Sequence, residues 1–204
     1  MRPLRTAFPV VLIALAVACT AAPDPGYVDV AQWRAQKDEF MRSSPESPVP
    51  AEERPSFKPL AYYPIDFAYQ VPASLTVIES NDILEMPTST GLRRQMRRIG
   101  TLSFTLQGQP LTLTAFVDAT QRDMRRLFVP FGDLTNGMET YTGGRYLDLD
   151  RTATNIYDLD FNRAYFPFCY YNPKYDCPLP PRENKLKIPV RAGEKVDPGH
   201  PKAG

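Results

Sequence analysis

The residues that could carry chemistry are concentrated between positions 133 and 184. The candidate cluster combines carboxylates, one arginine and two amides: Asp133, Arg145, Asp160, Asn162, Glu183 and Asn184. Paired carboxylates can act as acid and base, as in glycoside hydrolysis, and an arginine can hold a carboxylate or phosphate through two parallel hydrogen bonds. The structural alternative is a buried ion pair of Arg145 with Asp160 or Glu183, which would hold an irregular C-terminal loop on a sheet. We favour this second interpretation.

Two cysteines, Cys169 and Cys177, enclose the seven residues YYNPKYD. In an oxidising compartment two cysteines at this spacing form a disulfide by default, so we predict a Cys169–Cys177 bridge. The alternatives are free structural thiols and a reactive pair. A reactive thiolate needs a neighbouring cation or base to lower its pKa, and Lys174 is the only cation inside the loop.

Several classes of site are excluded by composition. The chain has one histidine, His200, which excludes histidine-based triads and multi-histidine metal sites. The doublets Asp148–Asp150 and Asp158–Asp160 do not match a calcium loop of the EF-hand type, because the required glycine and glutamate positions hold Ala153 and Leu159. We interpret the doublets as strand ends that flank a turn, and we expect no metal and no cofactor.

The elements that must position these residues are short. The chain has 204 residues, of which 22 are proline, and interior prolines interrupt helices. One helix is predicted from Asp29, because Val30, Trp33, Lys37 and Phe40 fall on one face. Pro45 ends it.

Short apolar stretches separated by turn residues follow the helix and predict β-strands. The clearest is a hairpin in which Leu102, Phe104 and Leu106 alternate with polar residues, the chain turns at 108–110, and Leu111 and Leu113 alternate again. Weaker strands are predicted near 74–79, 83–87, 125–131, 144–149 and 186–191. The basic cluster of Arg93, Arg94, Arg97 and Arg98 is predicted to form a solvated turn and an edge strand.

Five motifs after residue 129 resemble a family of bacterial proteins known only as a domain of unknown function, DUF1684. They are PFGDLTNG at 130–137, GRYL at 144–147, DFNRAY at 160–165, CPLPPREN at 177–184 and AGE at 192–194. The resemblance covers roughly residues 30–195. It implies a single β-rich domain and supplies no reaction.

The N-terminus has the pattern of an export signal. Arg2 and Arg5 precede an apolar run from Ala7 to Ala18, which is shorter than the roughly twenty residues that span a bilayer and suits a signal peptide. Small residues directly before Cys19 resemble a bacterial lipobox, so we predict acylation of Cys19. A secreted protein cleaved nearby and an uncleaved anchor are the alternatives.

These patterns divide the chain into a signal peptide at 1–18, a lipidated tether at 19–27, one domain at 28–195 and a flexible tail at 196–204. The predicted fold is β-dominated α+β: a sandwich or partly closed barrel with one N-terminal helix and a long ordered C-terminal loop.

We predict an exported, membrane-anchored lipoprotein on the periplasmic or cell-surface side. The favoured hypothesis is a non-enzymatic module that binds a small ligand or an envelope protein, and the alternative is a carboxylate-dependent hydrolase that uses Arg145 with Asp160 or Glu183. Without residues 1–18 the chain keeps 22 of its 24 basic residues and all 23 acidic residues, which gives a net charge of −1. That balance gives no reason to expect a nucleic-acid partner.

Overall fold

The computed structural model describes residues 24–79, 82–122 and 124–197. The predicted signal peptide, the lipidation site at Cys19 and most of the predicted C-terminal tail lie outside these residues. Among the described residues no helix is both long enough and apolar enough to cross a bilayer.

The N-terminal helix α1 runs from Pro25 to Ser43. It begins earlier than the predicted Asp29, because the Asp24 carboxylate accepts a hydrogen bond of 2.8 Å from the Gly26 amide and Pro25 suits the first helical position. Residues 25–27, which were assigned to the predicted tether at 19–27, therefore belong to the helix. Val30 and Met41 are buried against the rest of the protein.

Seven antiparallel strands form one sheet that curls into a nearly closed barrel, in the order β6-β5-β4-β3-β1-β7, with β2 also paired to β3. This confirms the predicted β-dominated α+β fold with a partly closed barrel. The strands are β1 (Gln70–Val77), β2 (Ile83–Pro87), β3 (Arg93–Leu106), β4 (Gln109–Asp118), β5 (Arg126–Phe131), β6 (Arg145–Asp150) and β7 (Ile156–Asp160). The core lies inside the barrel and includes the fully buried Leu102, Leu113, Leu127 and Leu159.

The predicted hairpin is formed by β3 and β4. Leu102 faces Leu113 across the ladder, and Leu106 faces Gln109. The two turn residues, Gln107 and Gly108, both have positive φ, which matches the right-handed twist of the strands. The turn is thus one residue earlier than predicted.

The basic cluster does not form an edge strand. It lies at the start of β3, which pairs with β2 on one side and with β4 on the other. The ladder with β4 is irregular between Arg98 and Gly100, and a Cβ at position 100 would lie 2.4 Å from the Thr76 carbonyl oxygen. Gly100 therefore lets the long strand bend against β1.

The C-terminal region is long and irregular, as predicted, but no strand forms at 186–191. Leu186, Ile188 and Val190 are buried in the barrel core, and the Leu186 amide donates to the Gly132 carbonyl at 2.8 Å. Pro189 has no N–H to continue a ladder, and the Val190 amide donates to the side chain of Asp133 instead. The segment stays bonded as far as Val196, whose amide donates to the Glu139 carbonyl.

Candidate functional site

An open cleft of about 1230 Å³ lies on the outer surface of the barrel. Its floor is the outward face of β5 and β6, where Phe128 faces Asp148 and Pro130 faces Tyr146 across the ladder. The described part of the β4–β5 connection borders it on one side, and residues of the C-terminal loop, among them Tyr165 and Phe168, border it on the other. The volume is somewhat above the roughly 300–1,000 Å³ that is typical of small-molecule sites.

Aromatic rings line the floor and the C-terminal wall. Tyr146 packs edge-on against Phe128, with 4.6 Å between ring centroids, and against Tyr165, at 5.8 Å. Phe168 meets Tyr175 edge-on at 5.3 Å. The Tyr146 hydroxyl donates to the Pro178 carbonyl at 2.5 Å, and burial raises the pKa of this phenol, which keeps it protonated. The cleft therefore offers a rigid apolar surface.

The rim is charged. The described residues that line the cleft include five arginines and four aspartates: Arg94, Arg122, Arg125, Arg126, Arg151, Asp118, Asp148, Asp150 and Asp176. Arg94 donates to the Asp176 carbonyl at 2.8 Å, and Arg126 lies 3.5 Å from an Asp150 oxygen. Four of the arginines come from 122–126 and 151, so one end of the cleft is rich in arginine, with Asp118 and Asp150 beside them.

Asp148 is the carboxylate at the centre of the floor. Asp148 is exposed, and its carboxylate accepts a hydrogen bond of 2.8 Å from the Tyr165 hydroxyl. Partial desolvation of the carboxyl in the cleft raises its pKa, and the Tyr165 hydroxyl and the Arg126 charge oppose that shift. An ionised Asp148 is thus held in a position that does not favour its charge.

A buried ion pair lies behind Tyr165. The Lys37 ammonium of α1 lies 4.4 Å from the centroid of the Tyr165 ring and pairs with Glu194, which is 1% exposed. Glu194 also accepts hydrogen bonds of 2.7 Å from the Phe166 amide and the Tyr171 hydroxyl. This network fixes the helix and the C-terminal loop behind the cleft wall.

The predicted polar cluster does not assemble into one site. Arg145 points into the barrel and donates to Asp133 at 2.8 Å, to the Val190 carbonyl at 2.7 Å and to the carbonyls of Ala192 and Glu194. The expected pairing with Asp160 or Glu183 is wrong. The alternation along β6 turns position 145 inward, where the C-terminal segment crosses the barrel.

Asp160 and Asn162 serve the turn after β7. Asp160 accepts a hydrogen bond of 2.9 Å from the Asn162 amide and lies 3.3 Å from the Arg163 guanidinium. The Asn162 side chain is buried and bonds to both the N–H and the carbonyl of Asp66. Both residues therefore hold a turn in place.

Glu183 and Asn184 are adjacent in the sequence, but one forms a surface ion pair and the other a buried hydrogen-bonded bridge. Glu183 pairs on the surface with Arg98 at 2.9 Å. Asn184 is fully buried and inserts its amide between β4 and β5, accepting from the Thr114 amide at 2.7 Å and donating to the carbonyls of Thr114 and Pro130. β4 and β5 pair directly at Phe116 and Phe128, and the Asn184 amide bridges the two strands where they separate.

Cys169 and Cys177 are neighbours, but the predicted disulfide is not formed, and both are free thiols. The Cys169 amide donates to the Cys177 sulfur at 3.1 Å, and the Tyr141 hydroxyl lies 3.8 Å from the Cys169 sulfur. Cys177 lines the cleft. Across residues 24–79, 82–122 and 124–197, no group of three histidine, cysteine or acidic residues has the arrangement of a metal site.

The sequence does not predict the cleft. It does place Lys37 on the apolar face of the helix, and a lysine in that position is a signal for a buried acidic partner. The AGE motif at 192–194 supplies that partner, Glu194. No sequence spacing connects Asp148 with Tyr165 or Arg94 with Asp176, because those contacts depend on how the C-terminal loop crosses the sheet.

Comparison with known proteins gives a family and a solved relative. The family model described as "Protein of unknown function (DUF1684)" matches residues 55–195. The chain is 40% identical to an uncharacterised protein of Haloarcula marismortui, from gene locus rrnAC0354, whose structure was determined by solution NMR. That match covers 85% of this chain and 95% of the other, with a TM-score of 0.67. No curated protein matches significantly.

Proposed function

The chain belongs to DUF1684, a family of proteins of unknown function, and from its cleft we propose that it is a non-enzymatic module that binds a small ligand. The ligand has an apolar or aromatic body and an anionic group. The observation that carries the proposal is the cleft of about 1230 Å³ with an aromatic floor and an arginine-rich end. Aromatic surfaces with a few placed polar groups are typical of small-molecule sites.

Each part of the cleft has a role in this proposal. The rings of Phe128 and Tyr146 support the apolar body. Arginines at 122–126 and 151 attract the anionic group, since a guanidinium can bind an oxyanion through two hydrogen bonds. Asp148 and the Tyr165 hydroxyl accept or donate hydrogen bonds at the centre.

A binding role fits the carboxylates better than hydrolysis does. Asp160 and Glu183, which the hydrolase hypothesis needed close to Arg145, pair with Arg163 and Arg98 instead. Arg145 itself pairs with the buried Asp133. These pairings do not support a hydrolase that uses Arg145 with Asp160 or Glu183.

We also propose that the protein works outside the cytoplasm, attached to a membrane through acylated Cys19. The support is the sequence before residue 20, with its basic start, apolar run and small residues before the cysteine. Several acyl chains on one residue would anchor the domain stably.

Anilinonaphthalene sulfonate, an anionic aromatic dye that fluoresces in apolar surroundings, tests the binding proposal. We expect saturable binding to the folded protein, and weaker binding of the neutral counterpart phenylnaphthylamine. Arg122→Ala should weaken dye binding about fivefold, because an exposed charge contact contributes up to about 1 kcal/mol. The matched control is Arg42→Ala, an exposed arginine on α1 outside the cleft. Equal affinities for wild type and Arg122→Ala, or binding that does not saturate, would contradict the proposal.

A further inference from the structure

The two free thiols form a closely connected pair. Cys169 lies in the short helical turn Phe168–Tyr170, and its amide donates to the Cys177 sulfur at 3.1 Å. The Cys177 amide in turn donates to the Ser89 hydroxyl at 3.1 Å, and the Ser89 amide donates to the Cys177 carbonyl at 2.8 Å. Ser89, in the turn after β2, therefore holds the Cys177 backbone, and the Cys169 amide holds its sulfur.

Hydrogen-bond donors surround the sulfurs and stabilise one negative charge between them. The Cys177 thiol lowers the pKa of Cys169 to about 6, with further help from the hydroxyls of Ser89 and Tyr141, while burial opposes the shift. The Cys169 thiolate raises the pKa of Cys177, and burial adds to that effect. The pair thus loses its first proton more easily than an ordinary cysteine and its second with more difficulty.

The charged and titratable groups that face the pair come from three elements. Arg94 of β3 favours a thiolate at Cys177. Tyr141, before β6, and Tyr146, on β6, both face the sulfurs, and both have raised pKa values that keep their hydroxyls protonated. A thiolate is the reactive form of cysteine in thiol–disulfide exchange.

The pair meets the cleft through Cys177, which lines it. Both cysteines are buried, with 8% of Cys169 and 6% of Cys177 exposed. We propose that Cys169 and Cys177 form a reversible dithiol–disulfide redox site that exchanges with low-mass disulfides through the cleft. This activity goes beyond ligand binding and requires no ligand.

The reaction balances with a disulfide, RSSR, as the oxidant. The thiolate of the pair attacks one sulfur of RSSR, forming a mixed disulfide as the first RS⁻ leaves. The second cysteine loses its proton and attacks the protein sulfur of that mixed disulfide, which releases the second RS⁻. Two electrons pass to the reagent, and the protein gains one Cys169–Cys177 bond while two RSH form. Excess thiol reverses each step.

Equilibration of the full-length protein in mixtures of reduced and oxidised glutathione tests the proposal. Alkylation of the remaining thiols, followed by intact-mass measurement, gives the fraction bridged, and circular dichroism confirms that the protein stays folded. We expect a bridge that closes in oxidised glutathione and reopens in dithiothreitol without denaturant. Thiols that stay reduced in excess oxidised glutathione overturn the proposal, as does a bridge that reopens only after unfolding.

Variants separate exchange chemistry from a structural role of the pair. Cys169→Ser and Cys177→Ser cannot close a bridge. In each variant the remaining cysteine should therefore stay in a mixed disulfide with one glutathione, because no second thiol is present to release it. Tyr141→Phe removes a hydroxyl from the Cys169 sulfur and should move the pH midpoint of alkylation upward. Tyr157→Phe, which removes a hydroxyl on β7, is the control with an unchanged midpoint. Equal midpoints in Tyr141→Phe and the wild type would contradict the assigned role of Tyr141.

Discussion

The guanidinium of Arg145 lies 2.8 Å from the Asp133 carboxylate, and neither side chain is exposed to solvent. The same guanidinium bonds to carbonyls of the C-terminal segment at Val190 and Glu194. A charged pair in this position joins the barrel to the chain that crosses its core. It also accounts for why the C-terminal segment needs no strand to remain in place.

Loss of this pair should destabilise the protein strongly. Arg145→Ala leaves Asp133 buried without its partner, which costs about 3–5 kcal/mol. Urea unfolding measures the loss. The exposed pair of Arg98 and Glu183 is the matched control, and Arg98→Ala should change stability by at most about 1 kcal/mol. Similar losses in the two arginine variants would contradict the assignment.

Asn184 should be indispensable for the junction of β4 and β5. In Asn184→Ala the amide and carbonyl of Thr114 and the carbonyl of Pro130 lose their partners. Each orphaned buried group costs roughly 1–3 kcal/mol, so thermal unfolding should show a loss of at least about 2 kcal/mol. Asn155→Gly is the control, because Asn155 is exposed and has a positive φ that glycine accepts. An Asn184→Ala protein as stable as the control would rule out the bridging role.

The pH dependence of stability should report on Asp148. Because its pKa is raised in the folded protein, the folded state binds more protons than the unfolded state between the ordinary aspartate value and the raised one. Stability therefore falls as the pH rises through that window. Asp148→Asn removes this penalty and should melt at a higher temperature than the wild type at neutral pH.

The higher melting temperature of Asp148→Asn should disappear at about pH 3, where the Asp148 carboxyl of the wild type is protonated in the folded and unfolded states alike. Glu85→Gln, which changes an exposed carboxylate on β2 outside the cleft, is the control with the wild-type pH profile. A lower melting temperature for Asp148→Asn at neutral pH would show that the charge is stabilising. The expected result fits a carboxylate kept in the cleft for binding at some cost in stability.

Cys19 should carry the membrane anchor. Cys19→Ser removes the thiol that receives the first acyl chain, so the protein should leave the membrane fraction and keep an unmodified residue 19. Fractionation with intact-mass measurement checks both effects, and Cys177→Ser serves as the control that remains in the membrane. A wild-type protein without acyl mass in native membranes would refute the anchor.

Local patterns explain which parts of the fold could be predicted. The β3–β4 hairpin follows from the alternation of Leu102, Phe104 and Leu106, since one face of a strand must be buried. The segment at 186–191 alternates equally well, yet it forms no strand, because Pro189 and the Asp133 side chain replace the ladder bonds. Periodicity indicates which residues are buried and does not determine their hydrogen-bond partners.

The candidate site was harder to predict for the same reason. Arg145 was identified as the central cation, but its partner depends on which end of the barrel the C-terminal segment crosses. Glu183 lies near Arg98 and not near Arg145, because β3 and the loop meet outside the barrel. The sequence does not distinguish Asn184 from other polar loop residues, because its role depends on the separation of β4 and β5, which its side-chain amide bridges.

The central claim is that the aromatic cleft binds an anionic aromatic ligand. The most direct measurement is a titration of the ¹⁵N-labelled protein with anilinonaphthalene sulfonate, followed by amide chemical shifts in two-dimensional NMR spectra. Binding in the cleft should give saturable shifts that are largest at Phe128, Tyr146 and Tyr165, on the floor and wall of the cleft. Shifts concentrated elsewhere on the barrel, or none at saturating dye, would contradict it.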